Sequence, residues 1–284
     1  KRFVKPSSAS LAAPLTADQM KLLTTAAFLS ASRHTPKTSL TAASRGFAAA
    51  HGNQVGEAKE ALRRAQAVCF DVDSTVITEE GIDVLAAFNG AGEEVAKLTS
   101  AAMGGSVKFE DALDARLRII KPSKSSIASC LSAHPFELSP GVAELIDALQ
   151  KRGTAVYLVS GGFRLMIEPI ASILSIPKEN IIANTILFDS NGDYSGFDAT
   201  EFTSADGGKP RALAHLKKNH GYDPIVMVGD GATDMQAKTP GSADAFIGFG
   251  GVVVRSAVFD GADWFVSDFS EMTAIVKSQE GPTA

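Results

Sequence analysis

Five short apolar segments recur between residues 67 and 268, and the stretches between them carry helical periodicity. They are AVCF at 67–70, AVYLV at 155–159, IVMVG at 225–229, DAFIGF at 244–249 and WFVSD at 264–268. Apolar runs of strand length that alternate with helical segments are typical of βαβ units, which build a parallel sheet. The pattern predicts an α/β fold with a ligand site beyond the carboxyl ends of the strands.

The chain between the first two strands is too long for a single crossover, and its patterns are helical throughout. Glycine or proline closes each of these helical segments. The last one, at 139–153, starts with a capping serine and a proline and belongs to the sheet as its crossover helix. We therefore expect a small helical domain at 83–137, inserted into a core formed by residues 57–82 and 138–284.

The first 56 residues differ in composition from the rest of the chain. They hold seven Lys or Arg and one acid, a net charge of +6, and they are rich in Ser, Thr and Ala. This composition is typical of an organellar transit peptide, and a disordered tail without a targeting role is the alternative. We expect delivery to an organelle, with the plastid favoured over the mitochondrion and the cytosol.

The rest of the chain is acidic. The whole chain has a net charge of −5, so the +6 of the first 56 residues leaves −11 for the remainder. This charge argues against nucleic acid as a partner, since phosphate neutralisation requires Lys and Arg. No apolar run approaches the ~20 residues that span a bilayer, so we expect no membrane partner. Cys69 and Cys130 show no CxxC spacing, and buried thiols are favoured over a disulfide. The sequence leaves open whether the chain forms a homodimer.

Two carboxylates, Asp71 and Asp73, follow the first apolar segment in the stretch DVDST. Residues two apart on an extended chain point to the same face, so these like charges repel each other unless a cation or a bound group offsets the repulsion. Acids before Ser and Thr are also common in ordinary turns. The stretch alone therefore indicates a site and a turn about equally.

Three further segments place polar groups after a strand or before a helix. SGG at 160–162 offers a hydroxyl and close backbone N–H groups to an anion, although Gly-Gly is more often a plain turn. Lys209 precedes a helix that begins at Pro210, where an ammonium and a helix N-terminus can face one anion, although a surface lysine is the commoner case. Asp230, between two glycines in GDGATD, follows the third strand. Four such segments together favour a functional site over coincidental turns.

The order DxDST, SGG, GGK and GDGxTD resembles the haloacid dehalogenase superfamily of aspartyl-phosphate phosphotransferases, over about 68–277. The stretches TEEGID and AMGGSVKFEDALDARL are similar to the members that hydrolyse O-phospho-L-serine, in particular the plant and other eukaryotic ones. The resemblance implies a Rossmann-like parallel sheet core with a small inserted helical cap domain. It also implies hydrolysis of O-phospho-L-serine to L-serine and phosphate, the last step of the phosphorylated route of serine biosynthesis.

The resemblance implies a role for each acid. Asp71 would be the nucleophile that forms an aspartyl-phosphate, and Asp73 would be the general acid and base. Mg²⁺ would be held by the Asp71 carboxylate, the Asp73 backbone carbonyl and Asp230, with Asp234 supporting that site. Such a cation would offset the repulsion between Asp71 and Asp73.

The phosphate and the amino acid would be held by different residues. The resemblance implies phosphate binding by Ser160, Gly161, Gly162, Lys209 and Gly104. It implies that the amino-acid part of the substrate contacts Glu80, Met103, Phe109, Arg116 and Thr233. Within that set, an acid suits the substrate ammonium and a guanidinium suits its carboxylate.

Two alternatives remain open at this point. Another small phosphomonoester, such as a phosphothreonine-like compound or a sugar phosphate, would keep the chemistry and change the substrate. A regulatory or structural protein could keep the fold without turnover. Glu80 and Arg116 favour an amino-acid substrate, and the intact set of acids with Lys209 favours an enzyme.

Overall fold

Six parallel strands form the central sheet in a computed structural model of the chain, which describes residues 53–102 and 108–278. The strands, together with a separate hairpin, are β1 (Ala67–Phe70), β2 (Ala155–Phe163), β3 (Ile181–Asn184), β4 (Ile186–Phe188), β5 (Tyr194–Phe197), β6 (Ile225–Gly229), β7 (Ala245–Phe249) and β8 (Trp264–Val266). The sheet order is β3-β2-β1-β6-β7-β8, and β4 pairs antiparallel with β5. The predicted α/β fold with a parallel sheet core is confirmed.

Helices connect the strands and cover both faces of the sheet. They are α1 (53–64), α2 (Gly81–Phe88), α3 (Gly92–Ala102), α4 (Phe109–Ile120), α5 (Lys124–Ala133), α6 (Val142–Lys151), α7 (Arg164–Ile173), α8 (Gly208–His220), α9 (Ala232–Met235), α10 (Ser256–Gly261) and α11 (Phe269–Lys277). Short 3₁₀ turns lie at Lys178–Asn180 and Phe202–Ser204. Among the described residues, no helix has the length and apolar character needed to cross a membrane.

The apolar sequence of β1 explains its place in the middle of the sheet. Alternate residues point to opposite faces: Val68 and Phe70 belong to one buried cluster, and Ala67 and Cys69 belong to another. All four residues are completely buried. Burying a side chain as large as Phe70 contributes about 1.5–3 kcal/mol, so both layers of helices are held through this strand.

A third apolar cluster joins the helices α2 to α5 to the core. Leu85, Leu117 and Ile127 from these helices pack with Phe163 at the end of β2 and with Ile186 of the hairpin. In the described part of the predicted segment 83–137, the regular elements are all helices and none is a strand. The division of the chain into a leader, a core and a cap remains a prediction. The predicted leader, residues 1–56, overlaps helix α1, which begins at residue 53.

The sequence analysis did not predict β3 or the β4–β5 hairpin. The apolar runs in β3 (IIAN) and β4 (ILF) are only three residues long, and β5 (YSGF) has none, which is below the length at which an apolar run is a clear signal. The hairpin turn contains Asn191 and Gly192, and Gly192 has a φ of +84°. Asn-Gly between two apolar runs is the signal that identifies such a hairpin. The prediction of two buried free thiols is confirmed for Cys69 and Cys130.

Candidate active site

The carboxyl ends of β1, β2 and β6 open into one cleft of about 210 Å³. These strands are neighbours in the sheet, and Phe70 of β1 pairs with Leu158 on one side and Val228 on the other. The polar residues that follow each strand therefore meet. Of the predicted site residues, the cleft is lined by Asp71, Asp73, Glu80, Phe109, Arg116, Ser160, Gly161, Gly162, Lys209, Asp230 and Thr233.

The turn after β1 places both acids. Asp71 continues the sheet, since its N–H donates to the Val228 carbonyl at 2.9 Å, and its Oδ1 accepts from the Val72 N–H at 2.7 Å. Asp73 Oδ1 accepts from the Gly81 N–H at 2.8 Å. Ser74 is buried with a φ of +53°, a conformation uncommon for any residue other than glycine. Such local strain is often found at functional sites.

Burial sets the protonation state of Asp73. Loss of hydration raises the pKa of this carboxyl to about 8, and the neighbouring charges of Asp71 and Glu80 add to the effect. The carboxyl therefore keeps its proton at neutral pH. A general acid requires this state.

Lys209 lies among the carboxylates at the floor of the cleft. Its Nζ is 2.8 Å from Asp71 Oδ1 and also pairs with Asp234 Oδ1. The lysine is 6% exposed. Burial lowers its pKa, but the charges of Asp234 and Asp71 outweigh that effect and raise the pKa, so the side chain remains a cation. Gly208, at the start of α8, lies so close to the Phe202 carbonyl that a side chain at this position would not fit.

Three carboxylates could hold a metal ion. One oxygen from each of Asp71, Asp230 and Asp234 lies within 4.8 Å of the others. Carboxylate oxygens are the ligands that Mg²⁺ prefers. Burial, followed by the charge of Asp71, raises the pKa of both Asp230 and Asp234, to about 7 for Asp234. The fit to Mg²⁺ rests on the three clustered carboxylate oxygens, whose mutual repulsion a divalent cation would offset.

Asp230 and Asp234 are anchored in different ways. Asp230 accepts from Thr75 Oγ1 at 3.2 Å and from Arg255 Nε at 2.8 Å. Asp234 is fully buried behind Lys209, and its Oδ2 accepts from the Gly231 N–H at 2.9 Å. Asp230 therefore lines the cleft, and Asp234 holds Lys209 from behind.

Residues 160–162, which we call the phosphate loop after their predicted role, follow the regular part of β2. Ser160 is completely buried, and its Oγ accepts from the Gly162 N–H at 2.9 Å. A Cβ at Gly162 would lie 3.0 Å from Asp73 Oδ2, and one at Gly161 would lie 3.4 Å from the Phe109 ring. Both glycines therefore allow close approach of the backbone to the acids and to Phe109.

Glu80 and Arg116 face the cleft from the helical side. Glu80 Oε1 accepts from Ser74 Oγ at 2.8 Å, and burial raises the pKa of this carboxyl. Arg116 Nε donates to the Ala112 carbonyl at 3.1 Å. Burial lowers the pKa of Arg116, and the charges of Asp83 and Glu80 oppose that shift. One anionic and one cationic group are therefore available to a zwitterion.

Met103 and Gly104 lie outside the described residues, so their predicted contacts stay predictions. The roles of the other predicted site residues also remain proposals. The structure adds a cleft residue that the sequence analysis missed. Arg255 binds Asp230 and lies 3.5 Å from Glu80 Oε1. Arg255 follows β7 and the Gly-Gly pair at 250–251. Its position after the end of a predicted strand was the signal from which the sequence could have indicated a cleft residue.

Comparison with known proteins agrees with this geometry. Residues 65–237 match the family model of the haloacid dehalogenase-like hydrolases. The chain is also 51% identical over 225 residues to the chloroplastic phosphoserine phosphatase of Arabidopsis thaliana, an alignment that covers 78% of this chain and 76% of the relative. The chain belongs to the phosphoserine phosphatase family of haloacid dehalogenase-like hydrolases. The resemblance seen in the sequence motifs is thereby confirmed.

Solved structures of phosphoserine phosphatases are similar to the structure of this chain. One, described as a phospho-aspartyl intermediate analogue of phosphoserine phosphatase, has a TM-score of 0.62 and 27% identity, and the match covers 72% of this chain and 96% of that one. The structure of DsGPDH from Dunaliella salina has a TM-score of 0.68 and 39% identity over 76% of this chain. This chain spans 37% of the length of the Dunaliella protein.

Proposed function

We propose that the chain hydrolyses O-phospho-L-serine to L-serine and phosphate, with Mg²⁺ and through an aspartyl-phosphate on Asp71. The observation that carries the proposal is the composition of one cleft. It holds two adjacent acids, a buried lysine with a serine hydroxyl, and an acid–arginine pair. The first set suits phosphoryl transfer, the second suits a phosphate, and the third suits an amino acid.

In the first step, an Asp71 carboxylate oxygen attacks phosphorus. A bond forms between that oxygen and phosphorus, and the bond from phosphorus to the serine oxygen breaks. Asp73, which the raised pKa keeps protonated, gives its proton to the departing serine oxygen. L-Serine then leaves as a neutral alcohol rather than as an alkoxide.

In the second step, water attacks the phosphorus of the aspartyl-phosphate. Asp73 has lost its proton and now accepts one from the water. The bond between phosphorus and the Asp71 oxygen breaks, and inorganic phosphate is released. Both acids return to their starting states.

Charge on the transferred group is balanced by Lys209 and the phosphate loop. The Lys209 ammonium and the Ser160 hydroxyl line the cleft next to Asp71. The Asp71 carboxylate, the Asp73 backbone carbonyl and Asp230 would hold Mg²⁺, with Asp234 supporting the site from behind. The ion would supply positive charge to the phosphoryl oxygens and offset the repulsion between the acids.

Substrate choice would depend on Glu80 and Arg116. The Glu80 carboxylate would bind the substrate ammonium, and the Arg116 guanidinium would bind its carboxylate. Phe109 and Thr233 would complete the pocket beside the phosphate loop. A phosphomonoester without an amino-acid end would offer Glu80 and Arg116 no partner beyond the contacts that they already make within the protein.

The proposal includes a pathway and a compartment. Release of L-serine would be the last step of the phosphorylated route of serine biosynthesis. The composition of residues 1–56 and the chloroplastic relative both support delivery to a plastid, with the mitochondrion and the cytosol as alternatives.

A panel of phosphomonoesters, assayed with and without Mg²⁺, tests the proposed activity. We expect rapid phosphate release from O-phospho-L-serine with Mg²⁺, and far slower release from O-phospho-L-threonine and from a sugar phosphate. Preference for a sugar phosphate, or full activity with a chelator present, would contradict the proposal.

A further inference from the structure

Asn184, the last residue of β3, joins two loops of the cleft through its side chain. Its Nδ2 donates to the Gly161 carbonyl at 2.8 Å, and its Oδ1 accepts from Thr203 Oγ1 at 3.0 Å. Gly161 belongs to the phosphate loop. Thr203 belongs to residues 202–208, which lead into Lys209 and which we call the lysine loop. Asn184 is completely buried and Thr203 is 3% exposed, so the bond between them is shielded from water, while the bond to Gly161 is partly buried at the edge of the cleft.

The bond to Gly161 fixes the plane of the peptide that joins Gly161 to Gly162. In a trans peptide the carbonyl oxygen and the following N–H point in opposite directions. Asn184 holds the carbonyl on one side, and the Gly162 N–H donates to Ser160 Oγ on the other. That bond uses a lone pair of Ser160, so its hydroxyl proton can be directed into the cleft.

The Gly161 carbonyl, which only accepts, determines which way the Asn184 amide faces, and the Thr203 hydroxyl stabilises that orientation. In the opposite orientation, Asn184 Oδ1 would lie against the Gly161 carbonyl oxygen, and two acceptors would repel each other. Donation from Thr203 Oγ1 to Oδ1 stabilises the observed orientation. Hydrogen bonds linked in series polarise and strengthen one another. The Thr203 hydroxyl therefore supports the hydrogen bond from Asn184 to the Gly161 carbonyl, in which Thr203 itself takes no part.

We propose that Asn184 is a positioning residue that, with Thr203, ties the phosphate loop to the lysine loop and aims the Ser160 hydroxyl at the phosphoryl group. The proposal rests on the proposed function only in taking the bound group to be a phosphoryl oxyanion. Asn184 touches no substrate. It acts through the backbone of Gly161, and the Ser160 hydroxyl and Lys209 remain the groups that contact the anion.

The same pair of strands provides a matched control. Asn180 lies just before β3, and its Nδ2 donates to the Val156 carbonyl of β2 at 2.9 Å. This is the same chemical bond between the same two chain segments, at the end remote from the cleft. Loss of the Asn180 amide removes a bond to β2 without touching either loop.

The test uses Asn184→Ala, Thr203→Val, Thr203→Ser and the control Asn180→Ala in the full chain. The binding of inorganic phosphate with Mg²⁺ present is measured by calorimetry, and thermal unfolding and turnover of para-nitrophenyl phosphate are measured alongside. We expect Asn184→Ala and Thr203→Val each to weaken phosphate binding about tenfold, the usual size for a lost buried hydrogen bond. Thr203→Ser, which keeps the hydroxyl, and Asn180→Ala should bind phosphate within about twofold of the parent.

The double variant adds a second criterion. If the two side chains act as one relay, Asn184→Ala combined with Thr203→Val should bind phosphate about as weakly as Asn184→Ala alone. Additive losses would overturn the relay, and so would parent-like phosphate binding by folded Asn184→Ala. Should Asn184→Ala fail to fold, the contrast between Thr203→Val and Thr203→Ser decides, and equal phosphate binding by those two variants overturns the proposal. A parent protein that binds phosphate but does not hydrolyse O-phospho-L-serine would contradict the proposed function alone.

Discussion

At the scale of single residues, Asp71 and Asp73 have the same side chain in different surroundings. Asp71 lies 2.8 Å from the Lys209 ammonium, which suits an anionic nucleophile. Burial raises the pKa of Asp73 to about 8, although the hydrogen bond from the Gly81 N–H opposes the shift, and this pKa suits a proton donor. In the proposed mechanism, neighbouring groups therefore divide the chemistry between two identical carboxyls.

Substitution of Asp73 tests its part in this division. Asp73→Asn should lower kcat for O-phospho-L-serine by roughly 10²–10⁴-fold, the usual contribution of a general acid. The first step with para-nitrophenyl phosphate needs no proton on its leaving group and should slow far less. Stopped-flow comparison of the two substrates checks this, and equal losses in the first step would show that Asp73 has another role.

Substitution of Arg116 tests the prediction that the substrate is an amino acid. Arg116→Ala should cost on the order of 2–4 kcal/mol in kcat/KM for O-phospho-L-serine, the range for removing half of a buried charge pair. Steady-state kinetics with para-nitrophenyl phosphate should change much less. Arg118, two residues along α4, has a 73% exposed side chain that pairs with Asp114. Arg118→Ala is therefore the control, and a loss there as large as at Arg116 would count against substrate recognition.

At the scale of elements, strand ends explain why so much of the site could be predicted. Asp71, Ser160 and Asp230 each come directly after an apolar run of four or five residues, so their convergence follows from the topology of a parallel sheet. Asn184 is the last residue of β3, whose apolar run is only three residues long, and Arg255 lies in an irregular loop six residues after β7. The sequence does not show the path that such loops take or which side chains they bring together. The hydrogen bonds that orient the phosphate loop are visible only in three dimensions.

At the scale of the whole molecule, the buried acids connect stability to pH. The folded protein raises the pKa of Asp73 from 3.8 to about 8, so between those values the folded state binds more protons than the unfolded state. Stability therefore falls as pH rises through this window. Asp234, with its pKa raised to about 7, acts in the same direction.

Thermal unfolding of the metal-free protein checks this linkage. The midpoint temperature should fall as the pH rises from about 5 to about 8, by roughly 2–4 °C for each kcal/mol lost. The Asp73→Asn variant should show a shallower slope, because an amide does not titrate. A midpoint that rises across this range in the parent protein would contradict the assigned pKa directions.

The N-terminal segment gives a prediction about location. Removal of residues 1–52, which stops before α1, should leave kcat and the unfolding temperature nearly unchanged, because this segment lacks the periodic apolar pattern of a core element. A fluorescent protein fused behind residues 1–56 should enter a plastid, or a mitochondrion in a host without plastids. Cytosolic fluorescence from that fusion would contradict targeting.

The central claim is that Asp71 becomes phosphorylated by the substrate. Acid quenching of the protein during turnover of O-phospho-L-serine, followed by mass spectrometry of its peptides, measures this directly. We expect one phosphoryl group on Asp71, sensitive to hydroxylamine as an acyl phosphate is, and absent from Asp71→Asn. Turnover without a phosphorylated intermediate in rapid-quench samples, or a phosphoryl group on another residue, would contradict the account.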